Sequence, residues 1–394
     1  MEDFSARDLA QAGGPGRISA IDAMRALAMT AVVAEHSKLL SFGWSGVWLF
    51  YVISGFVVTG TLMKGRATET AGRALGNFYA RRALRIVPIY ALVVAIGFLA
   101  TLASGGPARI DTLASLVFFY NNFALAAGYG NFPAFDVGNL WTISVEMQFY
   151  AMYGLLFILC ERRLVVLLLM ALIVLCPFGR WLYGSYLLAR HVAPDQAAFA
   201  IYSSSILQFD AFAAGCLLAL YRARLSMKVA WRLIAAGVAA MTSYCMTYVL
   251  VNIAHGDRGV AIFRNVISGI LFGQHREVFV YMPFVILAAG LVCLVVVRPP
   301  PNLKLLTVLA AIGEISYGGY IYHVTILRWA GFLGSLLHPS GAAVFLVRGA
   351  VFAVAMTLTI SLAWLSYKNL ERPLISFGGR LLRGRGPDPA TRLA

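Results

Sequence analysis

The sequence predicts an all-α, polytopic membrane protein with about ten transmembrane helices. Of its 394 residues, 60% are hydrophobic and only 12% are charged, too few charges to cover the surface of a soluble protein of this length. Apolar runs of about 18 or more residues recur along the whole chain, which is the signature of bilayer-spanning helices. No strand-type alternation is present, and helices are the structure that such runs adopt in lipid.

Ten apolar segments are predicted to span the bilayer. They cover residues 18–40, 45–63, 86–104, 141–160, 164–182, 206–221, 230–253, 278–297, 306–330 and 342–366. The apolar piece at 113–127 is short and interrupted by Asn121 and Asn122, so we expect it to be interfacial or re-entrant. The sequence shows no internal repeat and no paired broken helices. The first apolar run is expected to be a retained helix, since no cleavable signal peptide is evident.

The charge distribution predicts that both termini are cytoplasmic. The net charge of +15 comes from basic residues that lie between the apolar runs. With the N-terminus inside, the inner segments carry roughly three times as many Lys and Arg residues as the outer ones. This pattern favours membrane topology over nucleic-acid binding. The predicted organisation is a disordered N-terminus at 1–17, a transmembrane domain at 18–376 and a cytoplasmic tail at 377–394.

The five cysteines lie in or beside apolar runs and show no CxxC spacing. This placement argues against a disulfide framework and against a zinc site, and it is typical of side chains that fill space between helices. We therefore expect no bound metal.

The first apolar run carries four ionisable groups in the stretch DAMRALAMTAVVAEH, which begins at Asp22. Asp22 and Arg25 share a helical face and can neutralise each other. Arg25 and His36 are close to three full turns apart, so both point the same way, about 16 Å apart along the axis. Polar groups in spans are costly and usually line a site or pathway, which favours a functional reading over a structural pair and a helix cap. Glu35 is expected to snorkel toward the outer interface.

Two further groups of polar residues are predicted to lie in the outer half of the membrane. Glu146 enters the fourth span from outside at a depth that matches His36. A carboxylate at this position is suited to orienting a histidine or exchanging protons with it. Tyr317, Tyr320 and His323 recur every three residues in the ninth span and form one stripe, which either lines an acceptor path or packs between helices.

The aligned Arg25 and His36 suggest a polar track through the protein. The basic residues of this track are predicted to lie in the cytoplasmic half. Arg82 and Arg85 share a helical face at the inner approach to the third span, where they either anchor the loop or grip a phosphate-rich ligand. Glu371, at the inner end of the last helix, could hold one of these arginines. Together with Arg25, the pattern suits a long donor with an anionic head in the cytoplasm and a reactive end that reaches outward.

Six motifs follow one another along the chain: R-x10-H (Arg25, His36), FYVISGF (50–56), RALR (82–85), WTISVE (141–146), SYGGYIYH (316–323) and YKNLERP (367–373). Their order resembles the acyltransferase-3 family of membrane acyltransferases, and the resemblance covers nearly the whole chain. Two departures from the family are Thr142, where members often have Ser, and Met147, where a second acid often follows the Glu. The second departure leaves Glu146 to act alone.

The resemblance implies transfer of an acyl group, commonly acetyl from acetyl-CoA, to a hydroxyl of a sugar or another envelope or secreted molecule. It implies a multi-pass protein of the bacterial inner membrane, with acyl-CoA as co-substrate and no permanently bound cofactor. It also implies that His36 is catalytic and that the Arg82/Arg85 pair lies near the donor. We expect His36, oriented by Glu146, to be the general base, with a covalent acyl-His36 intermediate as the open variant.

Two other classes of protein stay open on the sequence alone. A secondary transporter or flippase for a glycolipid or sugar could use the same polar track, although the missing repeats and unbroken helices count against it. A membrane scaffold without chemistry would leave the buried Arg, His and Glu unexplained. The acceptor, the acyl chain length and the oligomeric state stay open on the sequence alone. A homo-oligomer is one of the open arrangements. Slow hydrolysis of acetyl-CoA by the purified protein would separate an enzyme from a transporter.

Overall fold

The computed structural model describes residues 19–384 with the exception of residue 302, and about 80% of the structure is helical. No β-strand occurs in this described part, so the predicted all-α class is confirmed. In chain order the helices are α1 (Ser19–His36), α2 (Ser45–Thr68), α3 (Ala71–Ala103), α4 (Ile110–Val117), α5 (Asn121–Ala126), α6 (Trp141–Leu159), α7 (Arg162–Ala189), α8 (Pro194–Ser203), α9 (Phe209–Leu220), α10 (Met227–Ala254), α11 (Arg276–Phe279), α12 (Tyr281–Val297), α13 (Lys304–Glu314), α14 (Ser316–Ser335), α15 (Ala343–Ser366) and α16 (Arg372–Gly384).

Seven segments of the described chain are long and apolar enough to cross a membrane, and two bent helix pairs bring the number to nine. The bent pairs are α8 with α9, at 70°, and α13 with α14, at 72°. The protein is therefore a multi-pass membrane protein. The remaining predicted span, α1, carries Asp22, Arg25 and Glu35, which is more charge than an ordinary apolar span contains. The count of ten and the cytoplasmic termini stay predictions.

The ends of the predicted domain organisation are only partly covered by the structure. The N-terminal segment at 1–17 and the end of the tail lie outside the described residues. The first part of the tail is helical, because α16 continues from α15 through a π-helical turn at Tyr367–Glu371.

The two bends correct the expectation that no helix would be broken. At the first, the Nε2 of Gln208 donates to the carbonyl of Ile201 at 2.8 Å. At the second, the Oγ of Ser316 donates to the carbonyl of Gly313, also at 2.8 Å. Each bend therefore satisfies backbone groups with a polar side chain inside the protein, as the membrane requires. The expected absence of broken helices therefore no longer counts against a transporter, and the class of protein has to be decided from the site and the family.

Close crossings without intervening side chains hold several of the long helices together. Gly313 of α13 contacts the backbone carbonyl of Asp22 so closely that a Cβ atom would collide with it. In the same way Gly55 of α2 faces the backbone of α9, and Gly215 of α9 faces the backbone of α2. Small residues at helix crossings let two backbones approach and gain van der Waals contact, which is a main source of helix association in lipid.

The apolar piece at 113–127 forms α4 and α5, which are each too short to span a membrane, as predicted. Both of its asparagines are buried. The Nδ2 of Asn121 donates to the carbonyl of Gly130 at 2.6 Å, and the Nδ2 of Asn122 donates to the Oγ of Ser205 at 2.9 Å. The amide of Asn121 therefore closes this loop on itself, and the amide of Asn122 fastens it to the first bend.

Candidate active site

Three cavities lie in a row along α1. The inner pocket has a volume of about 500 Å³, the central chamber about 70 Å³ and the outer pocket about 440 Å³. The inner pocket and the chamber share Arg25, Arg82 and Arg85 in their walls. The chamber and the outer pocket share Val47 and Tyr320. The cavities therefore adjoin one another in a row that is wide at both ends and narrow in the middle. We call this row the track, and its ends are named inner and outer after the predicted orientation.

The predicted pair at the start of α1 is present. The Nη1 of Arg25 lies 3.4 Å from the Oδ1 of Asp22, and the aspartate is buried. Arg25 also faces the inner pocket and the chamber, so it is both a paired residue and part of the wall that a ligand would pass.

The inner pocket brings together the basic residues that the sequence singled out. Arg82 and Arg85 are half-buried, and the guanidinium of Arg82 lies over the ring of Tyr150, 5.6 Å from its centroid. The Nε of Arg82 is buried and has no partner in the described part of the chain. Glu371 is buried beside Arg85, but its Oε1 accepts no hydrogen bond from any described residue, so among these residues it faces the arginine without pairing with it. These donors stay available to an anionic ligand.

Glu146 lies in the chamber and not beside His36, which corrects the expectation that it orients the histidine. The Oγ of Ser54 donates to the Oε1 of Glu146 at 2.7 Å, and the hydroxyl of Tyr150 donates to the same oxygen. Glu146 and His36 line different cavities and share no hydrogen bond. The depth of Glu146 along its helix was a poor guide, because Ser54 of α2 and Tyr150, one turn further along α6, turn the carboxylate toward the chamber.

The predicted stripe on α14 does face the track. The hydroxyl of Tyr317 donates to the carbonyl of Ile86 at 2.9 Å, and the Oγ1 of Thr142 lies 2.9 Å from the hydroxyl of Tyr320. Tyr317 lines the chamber, while Tyr320 stands between the chamber and the outer pocket. The stripe therefore forms one wall of the narrow part.

His36 and His323 meet at the outer end of the track. Their rings are edge to face with centroids 5.1 Å apart. The Nδ1 of His36 lies 2.9 Å from the carbonyl of Val32, and the Nδ1 of His323 lies 2.6 Å from the carbonyl of Tyr320. Since a carbonyl only accepts, we assign the ring proton of each neutral histidine to Nδ1, which leaves the lone pair on Nε2. The Nε2 of His36 is open to the outer pocket, and that of His323 is buried without a partner among the described residues.

Several residues of the track were not found from the sequence. Ser54 lies within the FYVISGF motif and Tyr150 follows Glu146 by one helical turn, so both carried a signal that could have been used. The outer pocket carried none, because its wall is assembled from loops and helix ends that are distant in sequence. Beyond His36, Val47 and Tyr320, that wall contains Val32, Glu35, Lys38, Trp44, Leu125, Asp136, Gly138, Asn139, Trp141, Phe199, Tyr202, Ile270 and Val324.

The residues available for metal binding are few. In the part of the chain that the structure describes, no group of three or more His, Cys, Asp or Glu side chains could hold a metal ion. The five cysteines are free.

The fold and the track define a multi-pass helical membrane protein with a polar path between two pockets. A family model described as "Acyltransferase domain" matches residues 18–368, which is nearly the whole chain. The chain therefore belongs to the acyltransferase-3 family. No solved structure matches the sequence.

Three relatives illustrate the similarity. The "Putative peptidoglycan O-acetyltransferase YrhL" of Bacillus subtilis is 24% identical over 387 residues, covering 92% of this chain and 56% of that protein. The peptidoglycan O-acetyltransferase OatA of Listeria monocytogenes is 29% identical over 149 residues, covering 34% of this chain and 23% of the relative. An uncharacterized protein of Haemophilus influenzae is 30% identical over 202 residues, covering 46% of this chain and 76% of that protein. The chain thus spans about a quarter to about half of the length of the two named O-acetyltransferases.

Proposed function

We propose that the protein is a bacterial inner-membrane O-acyltransferase that moves an acetyl group from cytoplasmic acetyl-CoA to a hydroxyl of an envelope or secreted carbohydrate. The family and the O-acetyltransferase names of its relatives support this reaction class. The observation that carries the proposal is the track itself, with arginines at one end, histidine lone pairs at the other and a narrow chamber between them.

The inner pocket suits the nucleotide end of the donor. Guanidinium groups bind phosphates through paired, charge-assisted hydrogen bonds, and Arg82 and Arg85 present such groups at a cavity of about 500 Å³. That volume is within the range of small-molecule sites. The chamber, at about 70 Å³, is too small for a nucleotide and suits the slender thioester arm. Arg25 stands where the arm would enter.

The chemistry follows from the free lone pair of His36. Its Nε2 takes the proton from the acceptor hydroxyl as the oxygen attacks the thioester carbonyl carbon. The carbon–sulfur bond then breaks, and the departing CoA thiolate takes the proton from the imidazolium. General-base help of this kind is worth roughly 10² to 10⁴ in rate. In the covalent variant the same lone pair attacks the thioester first, so both routes need Nε2 unprotonated.

Glu146 acquires a different role in this scheme from the one expected from the sequence. Its Oε1 accepts from Ser54 and from Tyr150, and the ring of Tyr150 lies under the guanidinium of Arg82. The carboxylate thus orders the chamber and balances the positive charge of the arginines that lead into it. Turnover depends on Glu146 through the path of the donor and not through the ring of His36.

The proposal is tested with the full chain purified in lipid nanodiscs and with cells. Release of CoA thiol from acetyl-CoA measures slow hydrolysis without an acceptor, and alkali-labile acetate on envelope and secreted material measures transfer in cells. We expect His36→Ala to reduce both at least 100-fold. The control is His255→Ala. The Nδ1 of His255 lies 2.7 Å from the carbonyl of Val251, four residues earlier, which is the same contact that His36 makes with Val32. His255 lies at the end of α10, outside the three cavities.

The outcomes separate the proposal from its rival. Wild-type rates in the His36→Ala protein would make this histidine structural. A wild-type protein that releases no CoA and adds no acetate, but moves a labelled glycolipid or sugar across the membrane, would place the chain among transporters. The His255→Ala protein is expected to behave as wild type in both assays.

A further inference from the structure

The outer pocket contains a carboxylate that has no partner among the residues that the structure describes. Two acidic side chains line this pocket, Glu35 and Asp136. The Oδ1 of Asp136 accepts from the Nδ2 of Asn131 and from the backbone N–H of Gly138, both at 2.9 Å, and its Oδ2 lies 3.9 Å from Arg328. Glu35 has no hydrogen bond and no ion pair to any described side chain. Asp136 is therefore used by the fold, and Glu35 is not.

The surroundings of Glu35 are those of a binding site and not of a membrane surface. The side chain is half-buried, and it lies close enough to the hydroxyls of Tyr202 and Tyr320 to interact with them electrostatically. A Cβ atom on Gly43 would lie 2.7 Å from the Cβ of Glu35, so the loop after α1 closes tightly over this residue. A half-buried carboxylate without a partner is costly, and such groups in membrane helices usually serve a ligand.

Glu35 and His36 open into one pocket because α1 ends there. Consecutive residues on a helix point about 100° apart, so the two side chains reach different atoms of the same bound molecule. The wall around them is aromatic: Tyr202 packs on Trp141 with ring centroids 5.1 Å apart, and Trp44 lines the same pocket. Flat aromatic walls with a few hydrogen-bonding groups suit a ring that has apolar faces and polar edges.

We propose that Glu35 is the acceptor-recognition residue, whose carboxylate accepts hydrogen bonds from hydroxyls next to the one that His36 deprotonates. The inference rests on the proposed function. It assigns a substrate contact to Glu35, which the sequence analysis expected at the outer membrane interface. Lys38 lines the same pocket. A carboxylate accepts hydrogen bonds from neutral hydroxyls, so Glu35 suits an acceptor that is a polyhydroxyl ring.

The experiment compares two readouts in the same variants. Glu35→Gln keeps the size of the side chain and removes its charge, while Glu35→Ala removes all its polar atoms. Hydrolysis of acetyl-CoA by the full chain in nanodiscs uses water as the acceptor and does not need Glu35. Alkali-labile acetate on envelope and secreted material, in cells that lack the wild-type gene, needs the native acceptor. We expect transfer to fall about tenfold or more in Glu35→Ala, and less in Glu35→Gln, and hydrolysis to fall by a clearly smaller factor than transfer in both variants.

The matched control is Asp111→Asn. Asp111 is a carboxylate outside the three cavities, and its Oδ2 lies 3.0 Å from the Nη2 of Arg109. This variant also removes one negative charge, and we expect it to leave both readouts unchanged.

Each other outcome has a definite meaning. Equal losses of hydrolysis and transfer would show that Glu35 acts on His36 or on the fold, which overturns its assignment to the acceptor. No loss of transfer in either variant would make it a snorkelling side chain and would also overturn the inference. A wild-type protein that releases no CoA and transfers no acetate overturns the proposed function itself, and this inference with it, before any variant is compared.

Discussion

The two histidines of the track owe their orientation to backbone carbonyls of their own helices. His36 uses the carbonyl of Val32 and His323 that of Tyr320, so both rings present Nε2. Helical spacing predicted that His36 lies on the stripe of Arg25. It could not predict the contact with His323, because α1 and α14 are brought together only by tertiary packing. The same limit explains Glu146: depth along a helix follows from the sequence, but the direction of the side chain follows from the neighbouring helices.

The arginines of the inner pocket make a prediction in which charge and geometry are separated. Replacing Arg82 and Arg85 by Lys keeps the positive charge but exchanges two aligned donors for a point charge. Losing one charge-assisted contact costs roughly 1.5 to 3 kcal/mol, so the affinity for acetyl-CoA should fall about tenfold or more per residue. Titration of acetyl-CoA into the purified double variant measures the change.

The control for the arginine pair is the double variant Arg163→Lys, Arg224→Lys. These two residues are exposed, line a different cavity and lie on the same predicted side of the membrane. Lysine at these two positions keeps the positive charge that sets the membrane topology. This variant should therefore bind acetyl-CoA as the wild type does. Unchanged affinity in the Arg82, Arg85 variant would reduce that pair to topology signals and leave the donor site to be found elsewhere.

At the scale of elements, the length of the apolar runs predicted the membrane spans well, but the prolines did not predict where helices bend. The spans predicted from apolar runs correspond to the long helices or to the bent pairs, apart from the charged α1. Pro88 and Pro177 lie inside α3 and α7, yet both helices continue past them. The sharp bends occur near Ser204 and Ile315, where no proline stands. Hydrogen bonds from the nearby side chains of Gln208 and Ser316 support these bends, so proline is not the signal that marks them.

The crossing of α2 and α9 gives a prediction about elements. A Cβ atom at Gly215 would collide with the carbonyl of Val52 and lie 2.8 Å from the N–H nitrogen of Phe56, so Gly215→Ala should force the helices apart. We expect a lower unfolding temperature in detergent for this variant. Gly76→Ala is the control, because a methyl group added to that helical glycine would have no atom within 4 Å, and alanine gains about 0.5 to 1 kcal/mol there. Equal unfolding temperatures for the two variants would contradict a tight crossing.

At the scale of the whole molecule, the track joins two pockets of different chemistry. The inner pocket is rich in arginine, while the outer pocket combines aromatic walls with His36 and Glu35. The depth of each group along its own helix predicted that the arginines lie toward one end and His36 toward the other. It also placed Glu146 with His36, whereas Glu146 lines the central chamber. It could not predict that the cavities adjoin, because walls such as Val47 and Tyr320 become common to two cavities only after the helices have packed.

The orientation of that track decides whether the proposed donor can reach it, and it is tested by two single cysteines in a protein whose five native cysteines have been replaced. Thr70 precedes α3 on the side of the arginines, and Ala134 lies in the loop before α6 on the side of the outer pocket; both are exposed. The excess of Lys and Arg on the side of Thr70 predicts that this side is cytoplasmic. In intact cells, an impermeant thiol reagent should therefore label Ala134→Cys and spare Thr70→Cys, and permeabilisation should expose both. Labelling of Thr70→Cys in intact cells would put Arg82 and Arg85 on the outer face, where acetyl-CoA is absent, and the donor would then have to be a different molecule.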